Sequence, residues 1–336
     1  MRLPLADTNF ADPTWILIVK PILIFLFLLL VTPMVLLLER KLMGRMQSRY
    51  GPNRVGPWGL LQPLADVFKL LTKENSSPTT AVPWLMALAP MISVLTAVMT
   101  LAVVPFGDRG TWGNSYGLYG VDIPIGILYF FAFGSIAFYG FLLGGWASGS
   151  KFSFLGSMRA AAQLISYEVS LGLALLGVVM MSQSLSLVSI VNAQDDIWYV
   201  FPQFFAFCIF LVAGFAETAR PPFDLPEADA ELVAGYNTEY GGMRFGAFFM
   251  AEYMHIIVYA GIATALFLGG WHGPGPAAIG PLWVLIKMFL VVCFFIWARA
   301  TLPRLRYDQL MSFGWKVLLP LATVNALVTA ILVVVL

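Results

Sequence analysis

The chain has 336 residues, of which 60% are hydrophobic and 11% charged, with a formal net charge of +1. A soluble domain carries about 25% charged residues, so the composition is that of an integral membrane protein, and the near-neutral balance excludes the basic field a nucleic-acid partner would need. Cys208 and Cys293 lie in separate apolar runs without CxxC or Cys/His spacing, which excludes a disulfide framework and a metal motif.

Crossing ~30 Å of hydrocarbon takes about 20 mostly apolar residues. Eight runs qualify: 15–38, 82–104, 123–147, 161–181, 198–219, 245–270, 280–299 and 315–336. The first lacks a basic leader and a small-x-small cleavage site, so it is expected to be a retained transmembrane helix. No internal repeat is evident. The expected fold is all-α, with eight transmembrane helices in a single membrane domain over 1–336.

Between the first two spans, residues 39–81 form a connection that opens with basic residues and passes through the turn-forming "YGPNRVGP". It then becomes periodic over 57–73. Leu60, Leu61, Leu64, Val67, Phe68 and Leu71 recur at helical spacing, while Gln62, Asp66, Lys69 and Lys73 share the opposite face. This predicts an in-plane amphipathic helix. Two roles stay open for it: a lipid-facing anchor, or the floor of a cavity.

Connections 39–81, 148–160, 220–244 and 299–316 hold most of the 19 Lys and Arg residues. Basic residues collect on the cytoplasmic side, so both termini are expected to be periplasmic. The sparser opposite side includes Arg2 and Arg109, and Lys287 near a span end is expected to snorkel outward.

Three carboxylates fall within or at the ends of spans: Glu168, Glu217 and Glu252. An ionised carboxylate at mid-bilayer costs at least about 2.5 kcal/mol, so each needs water, a partner or a proton. One reading gives them a shared wet cavity in the cytoplasmic half, where burial and mutual repulsion suit them to carry protons. The other pairs them structurally, Glu168 with Arg159 and Glu217 with Arg220. His255, one turn from Glu252, reads as an interface histidine.

Residues 214–245 gather six of the 18 acidic residues: Glu217, Asp224, Glu227, Asp229, Glu231 and Glu239. "RPPFD" stops the fifth span, because Pro221 and Pro222 supply no amide donors. "LPEADAEL" could open a short helix with Glu227 and Glu231 on one face. Phe223, Tyr236 and Tyr240 suggest that loop 220–244 is folded and pressed against a partner.

Four stretches, "ERKLMGRMQSRYGPNRVGPWGLLQPLADVFKLLTKE", "GSMRAAAQLISYEVSLGLALL", "AETARPPFDLPEADAELVAGYNTEYGGMRFGAFFMAEYMH" and "RATLPRLRYDQLMSFGWKVLLPLA", resemble the quinone-proximal membrane subunit of respiratory complex I, which is its H subunit in bacteria. The resemblance runs from the first span to the terminus. It implies a proton-pumping NADH:quinone oxidoreductase in which this subunit forms much of a tunnel for its substrate, ubiquinone. Glu39, Arg40, Arg45, Arg54, Asp66 and Lys69 would line or support that tunnel. Glu217, Asp224, Glu227, Asp229 and Glu231 would form an acidic funnel, with Glu168 and Glu252 as a buried relay.

The implied partners are hydrophilic iron–sulfur and quinone-chamber subunits, which with their complex supply the iron–sulfur clusters and FMN, small and antiporter-like membrane subunits, and the bilayer. No nucleic acid is implied, and no redox centre or metal of the chain's own. The likeness to bacterial forms favours a bacterial inner membrane over a mitochondrial one. Hydrogenase-type relatives that work without quinone are a rival, but the first loop resembles the quinone-using branch more closely. A secondary transporter is a second rival, which the lack of a two-half repeat opposes.

Overall fold

A computed structural model describes residues 14–108, 117–227 and 229–335. Arg2, Arg109 and the side chain of Asp229 lie outside that description. Twelve α-helices and no β-strand occur among the described residues: α1 (Thr14–Met46), α2 (Gln62–Thr72), α3 (Pro83–Leu101), α4 (Gly126–Ala147), α5 (Lys151–Ser182), α6 (Leu187–Asn192), α7 (Phe204–Glu217), α8 (Asp229–Leu232), α9 (Gly242–Leu266), α10 (Gly280–Thr301), α11 (Tyr307–Phe313) and α12 (Leu319–Val335). Seven helical segments are long and apolar enough to cross a membrane, α11 and α12 counting as one because the π-turn Gly314–Leu318 joins them. The shorter apolar helix α7 is the eighth.

The spans fall where apolar composition puts them, with two instructive differences at their ends. α7 has 14 residues, or about 21 Å at 1.5 Å per residue, because Pro202 disfavours helix in the residue before it and 199–203 form turns instead. α5 has 32 residues and begins at Lys151, ten residues before the expected span. No proline interrupts 151–160, and Ser153, Gly156 and Ser157 give its first turns a small-residue face that packs inside the protein.

α9 is the axis of the bundle. Of its most apolar stretch 72% is buried, against 22% for α1 and for the terminal α11–α12 segment, so side chains on α9 meet protein rather than lipid. α9 packs against α3, α10 and α1, while α5 packs against α4, α7 and α12.

α2 and the two residues before it turn most of their apolar side chains outward. Leu60, Leu61, Leu64, Phe68 and Leu71 are all exposed, whereas Pro63 is buried and Asp66 partly so, facing α1 and α9. One face is an apolar outer surface, and the other walls a cavity of about 70 Å³ between α1, α2 and α9.

The acidic connection is folded into its own bundle. Phe223, Leu225, Tyr236 and Tyr240 are buried, and Tyr236 rests 5.0 Å from the Phe141 ring of α4 and 5.2 Å from Phe248 of α9. The loop is folded, as expected, and its aromatics pack on this chain's own helices. Gly235 makes the turn possible, with φ +53°, because a Cβ there would sit 1.7 Å from the Pro226 carbonyl oxygen. α5 backs onto the same turn, Gly156 facing the Gly235 backbone.

Candidate functional site

Among the described residues, two of the polar groups within the bundle are built on glutamates, and α9 carries a member of each. The first surrounds Glu252, which is 2% exposed. Arg220, three residues beyond α7, approaches its carboxylate at 2.8 Å, and the Tyr236 hydroxyl donates to it at 2.8 Å. The Arg220 guanidinium also lies over the Tyr253 ring at 4.5 Å and the Phe249 ring at 5.7 Å. Burial first, then the carboxylates of Glu252 and Glu227, push the Tyr236 phenol well above its ordinary value. It therefore stays protonated and available as a donor.

From Arg220 the network reaches α1 and α10. Glu39, 3% exposed, is ion-paired to Arg299, and Tyr253 lines the same narrow space. Val35, Glu39, Arg220, Tyr253, Phe295 and Arg299 are among the residues that enclose a narrow space of about 10 Å³ between α1, α9 and α10. Charges alternate along this run, Arg299, Glu39, Arg220, Glu252. Each buried ion thus has a counter-ion, which is the condition for keeping it charged away from water.

The second group lies outward along the same helix. Glu168 of α5 accepts a hydrogen bond from Ser135 of α4 at 2.5 Å. Gly134, the neighbour of Ser135, lets the α4 backbone approach Glu217, since a Cβ there would lie 3.2 Å from its Oε1. One turn of α4 thus holds carboxylates from two other helices. Tyr259 of α9 packs on α7 at Gly214, one turn before Glu217. The pairings considered from sequence, Glu168 with Arg159 and Glu217 with Arg220, do not form: Arg220 is paired to Glu252 and Arg159 to Glu231.

The acidic loop is strapped to its surroundings rather than presented as a one-face pair. α8 starts at Asp229, so Glu227 precedes it and accepts from Asn237 at 3.1 Å. Glu231 pairs with Arg159 at 2.5 Å and with Arg304 at 3.6 Å. The shared helical face expected for Glu227 and Glu231 is therefore corrected. Gln163 of α5 donates to the carbonyls of Ala216 and Phe223, and Leu305 N–H donates to Pro222. Asp224 is partly buried in the same segment.

Around the first connection, Asp66 of α2 receives Arg40 at 2.8 Å and Lys69 at 3.6 Å. Lys41 donates to the Trp58 carbonyl at 2.5 Å. Arg45 and Arg54 are exposed and are not drawn into either cavity.

Lys287 departs from expectation. Its ammonium is held by the carbonyls of Leu268, Gly270 and His272 at 2.6, 2.9 and 2.6 Å, with the Trp198 ring at 4.2 Å. It does not snorkel, because the loop after α9 brings three acceptors to it. His255 has a buried Nε2 without a partner among the described residues, so it is not fully satisfied.

Sequence reasoning missed Arg299, Tyr253, Ser135, Gln163 and Tyr259. Arg299 and Glu39 are 260 residues apart, which no local pattern can join. Helical spacing offered one usable signal, because Glu252 and Tyr259 stand seven residues apart, two turns along one face.

A family model described as NADH dehydrogenase matches residues 19–330. The H 1 subunit of NADH-quinone oxidoreductase from Geobacter metallireducens is 54% identical over 92% of this chain and 94% of its own length. The H 2 subunit of Syntrophobacter fumaroxidans is 52% identical over 94% and 95%, and the H subunit of Syntrophotalea carbinolica 55% over 88% and 89%. The chain belongs to the NADH dehydrogenase family, as a multi-pass membrane subunit of the enzyme complex NADH-quinone oxidoreductase.

Proposed function

We propose that this subunit receives ubiquinone between α1, α2, α9 and α10 and couples its reduction to proton translocation through buried carboxylates. The observation that carries this is the Glu39–Arg299, Arg220–Glu252 run, in which Glu39, Arg220 and Glu252 are buried and the partly exposed Arg299 closes the wall of the α1/α9/α10 space. Buried charge is costly to rearrange, so a change of charge beside the network shifts every member of it.

Quinone reduction consumes two electrons and two protons. Proton uptake near Glu39 and Arg220 alters the field at Glu252, and through Tyr236 and Glu227 it reaches the acidic loop. The loop then acts as a two-state polar element biased by local charge. Glu217 and Glu168 continue the path on α7 and α5. Asp224, Asp229 and Glu231 shape the funnel. Arg40, Asp66 and Lys69 brace α2 against α1 at the quinone entrance, and Arg45 and Arg54 belong to the surface that meets the hydrophilic subunits.

The iron–sulfur clusters and FMN belong to those partners, with small and antiporter-like subunits on the membrane side. The chain lies in a bacterial inner membrane with both termini periplasmic, an orientation supported by the basic connections 39–81, 220–244 and 299–316. The domain assignment is one membrane unit carrying those connections.

The test is Glu227→Gln and Glu231→Gln in the intact complex. Quinone-dependent NADH oxidation and proton pumping fall together if the loop is the coupling element. Native rates of both in both assembled variants refute it.

A further inference from the structure

Tyr259 is 3% exposed, and its hydroxyl has no hydrogen-bond partner among the described residues. A buried phenol normally finds one. Its ring is firmly placed. The Phe130 and Phe210 rings lie 5.5 and 5.7 Å away, and Gly214 allows it to pack directly on α7, a Cβ there falling 3.1 Å from the Tyr259 ring. Gly214 stands one turn before Glu217 on α7 and Phe130 one turn before Gly134 on α4, so the fixed ring sits at the level where the carboxylates meet α4.

Four helices converge on this spot: α9 with Tyr259, α7 with Glu217, α5 with Glu168, and α4 with Gly134 and Ser135. Ser135 Oγ already donates to Glu168 Oε1 at 2.5 Å. Against the same turn of α7 stands a buried donor without a partner among the described residues, the phenol of Tyr259. Buried polar groups of this kind recruit bridging water where two to four polar partners surround the space.

We propose that Tyr259 is a hydroxyl bridge between Glu217 and Glu168, passing protons between them through one water on each side. The proposal rests on those carboxylates carrying protons in the function above. In each transfer the phenol gives its proton toward Glu168 and takes one back from the Glu217 side. It ends neutral, Glu217 has lost one proton and Glu168 has gained one. Tyr259 touches no quinone, so it is a positioning and relay residue.

The experiment uses the assembled complex carrying Tyr259→Phe, which removes one oxygen and keeps the ring contacts with Phe130, Phe210 and Gly214. Electron transfer from NADH to a soluble artificial acceptor, a property of the partner subunits, reports assembly. Two readouts follow: quinone-coupled proton translocation in proteoliposomes, and the infrared carbonyl band of protonated carboxyl groups, assigned by its loss in Glu217→Gln.

The expected result is a severalfold loss of proton translocation and a shift of that band to higher frequency, as the water held by the phenol is lost and with it the carboxyl's hydrogen-bond donor. Tyr259→Gln, which returns a polar donor at the same depth, recovers part of the translocation. If Y259F keeps native translocation and an unshifted band while E217Q loses both, the bridge is refuted and the carboxylate path stands. If Y259F, E217Q and E168Q all translocate protons at the native rate, both are refuted.

Discussion

Arg220 and Glu252 form an ion pair at 2.8 Å whose side chains are 4% and 2% exposed. Removing one partner of such a pair leaves the other charge buried and unmatched, at a cost of about 3–5 kcal/mol. Arg220→Met is expected to lower the thermal stability of the complex and the yield of assembled protein. Replacing both, Arg220→Met with Glu252→Met, restores much of the stability and none of the coupled activity. Thermal melting of the purified complex checks the first expectation, and proton translocation the second.

Tyr236 donates to the same carboxylate and is fully buried. Its folded pKa lies well above 10.0, so its neutral form is favoured by folding. That contribution is complete below pH 10 and is lost as pH climbs toward the folded value. Tyr236→Phe removes the donor and leaves Glu252 short of a hydrogen bond, costing about 1–3 kcal/mol. Melting curves from pH 8 to about 11 are expected to fall more steeply at the alkaline end for the native complex than for the variant.

The strap between α5 and the acidic loop depends on two glycines back to back. Alanine is favoured over glycine in a helix by about 1 kcal/mol, so Gly156→Ala would stabilise an isolated α5. In the protein its Cβ would lie 2.9 Å from Gly235 Cα and from the Pro226 oxygen, atoms of backbone that cannot swing aside. Overpacking of this kind costs about 1–3 kcal/mol. The variant is expected to loosen residues 220–241, seen as faster proteolysis there with other connections unchanged.

Asp66 is 17% exposed and Arg40 38%, so their ion pair contributes little to stability, about 0–1 kcal/mol. Its role is to hold α2 against α1 beside the cavity of about 70 Å³. Asp66→Ala is therefore expected to raise the KM for quinone several-fold with kcat and the melting temperature nearly unchanged.

What the sequence discloses depends on the range of the interaction. Apolar runs are local, so the spans and the amphipathic face of 57–73 are visible in it. Pro202 inside an apolar run and Lys151 and Arg159 on a continuing helix are local as well. They mislead because hydrophobicity marks lipid contact, not helix ends. The residue types in the buried network, Glu39, Arg220 and Glu252, are conspicuous in an apolar chain. Their pairing is not, because it depends on tertiary neighbours: Arg220 chooses Glu252 over the nearer-in-sequence Glu217, and Arg299 closes on Glu39 from the far end of the chain. Tyr259 was hidden for a different reason, since a tyrosine in an apolar helix looks like core until its hydroxyl is found without a partner.

The central claim is that buried carboxylates of this subunit transmit the energy of quinone reduction, and Glu217 is its most direct test. In proteoliposomes containing the complex with Glu217→Gln, protons translocated per NADH oxidised by quinone are to be measured, with soluble-acceptor activity as the assembly control. A lowered rate of quinone-linked oxidation accompanied by lost translocation is the predicted result. Native rate and native stoichiometry in an assembled E217Q complex would contradict it.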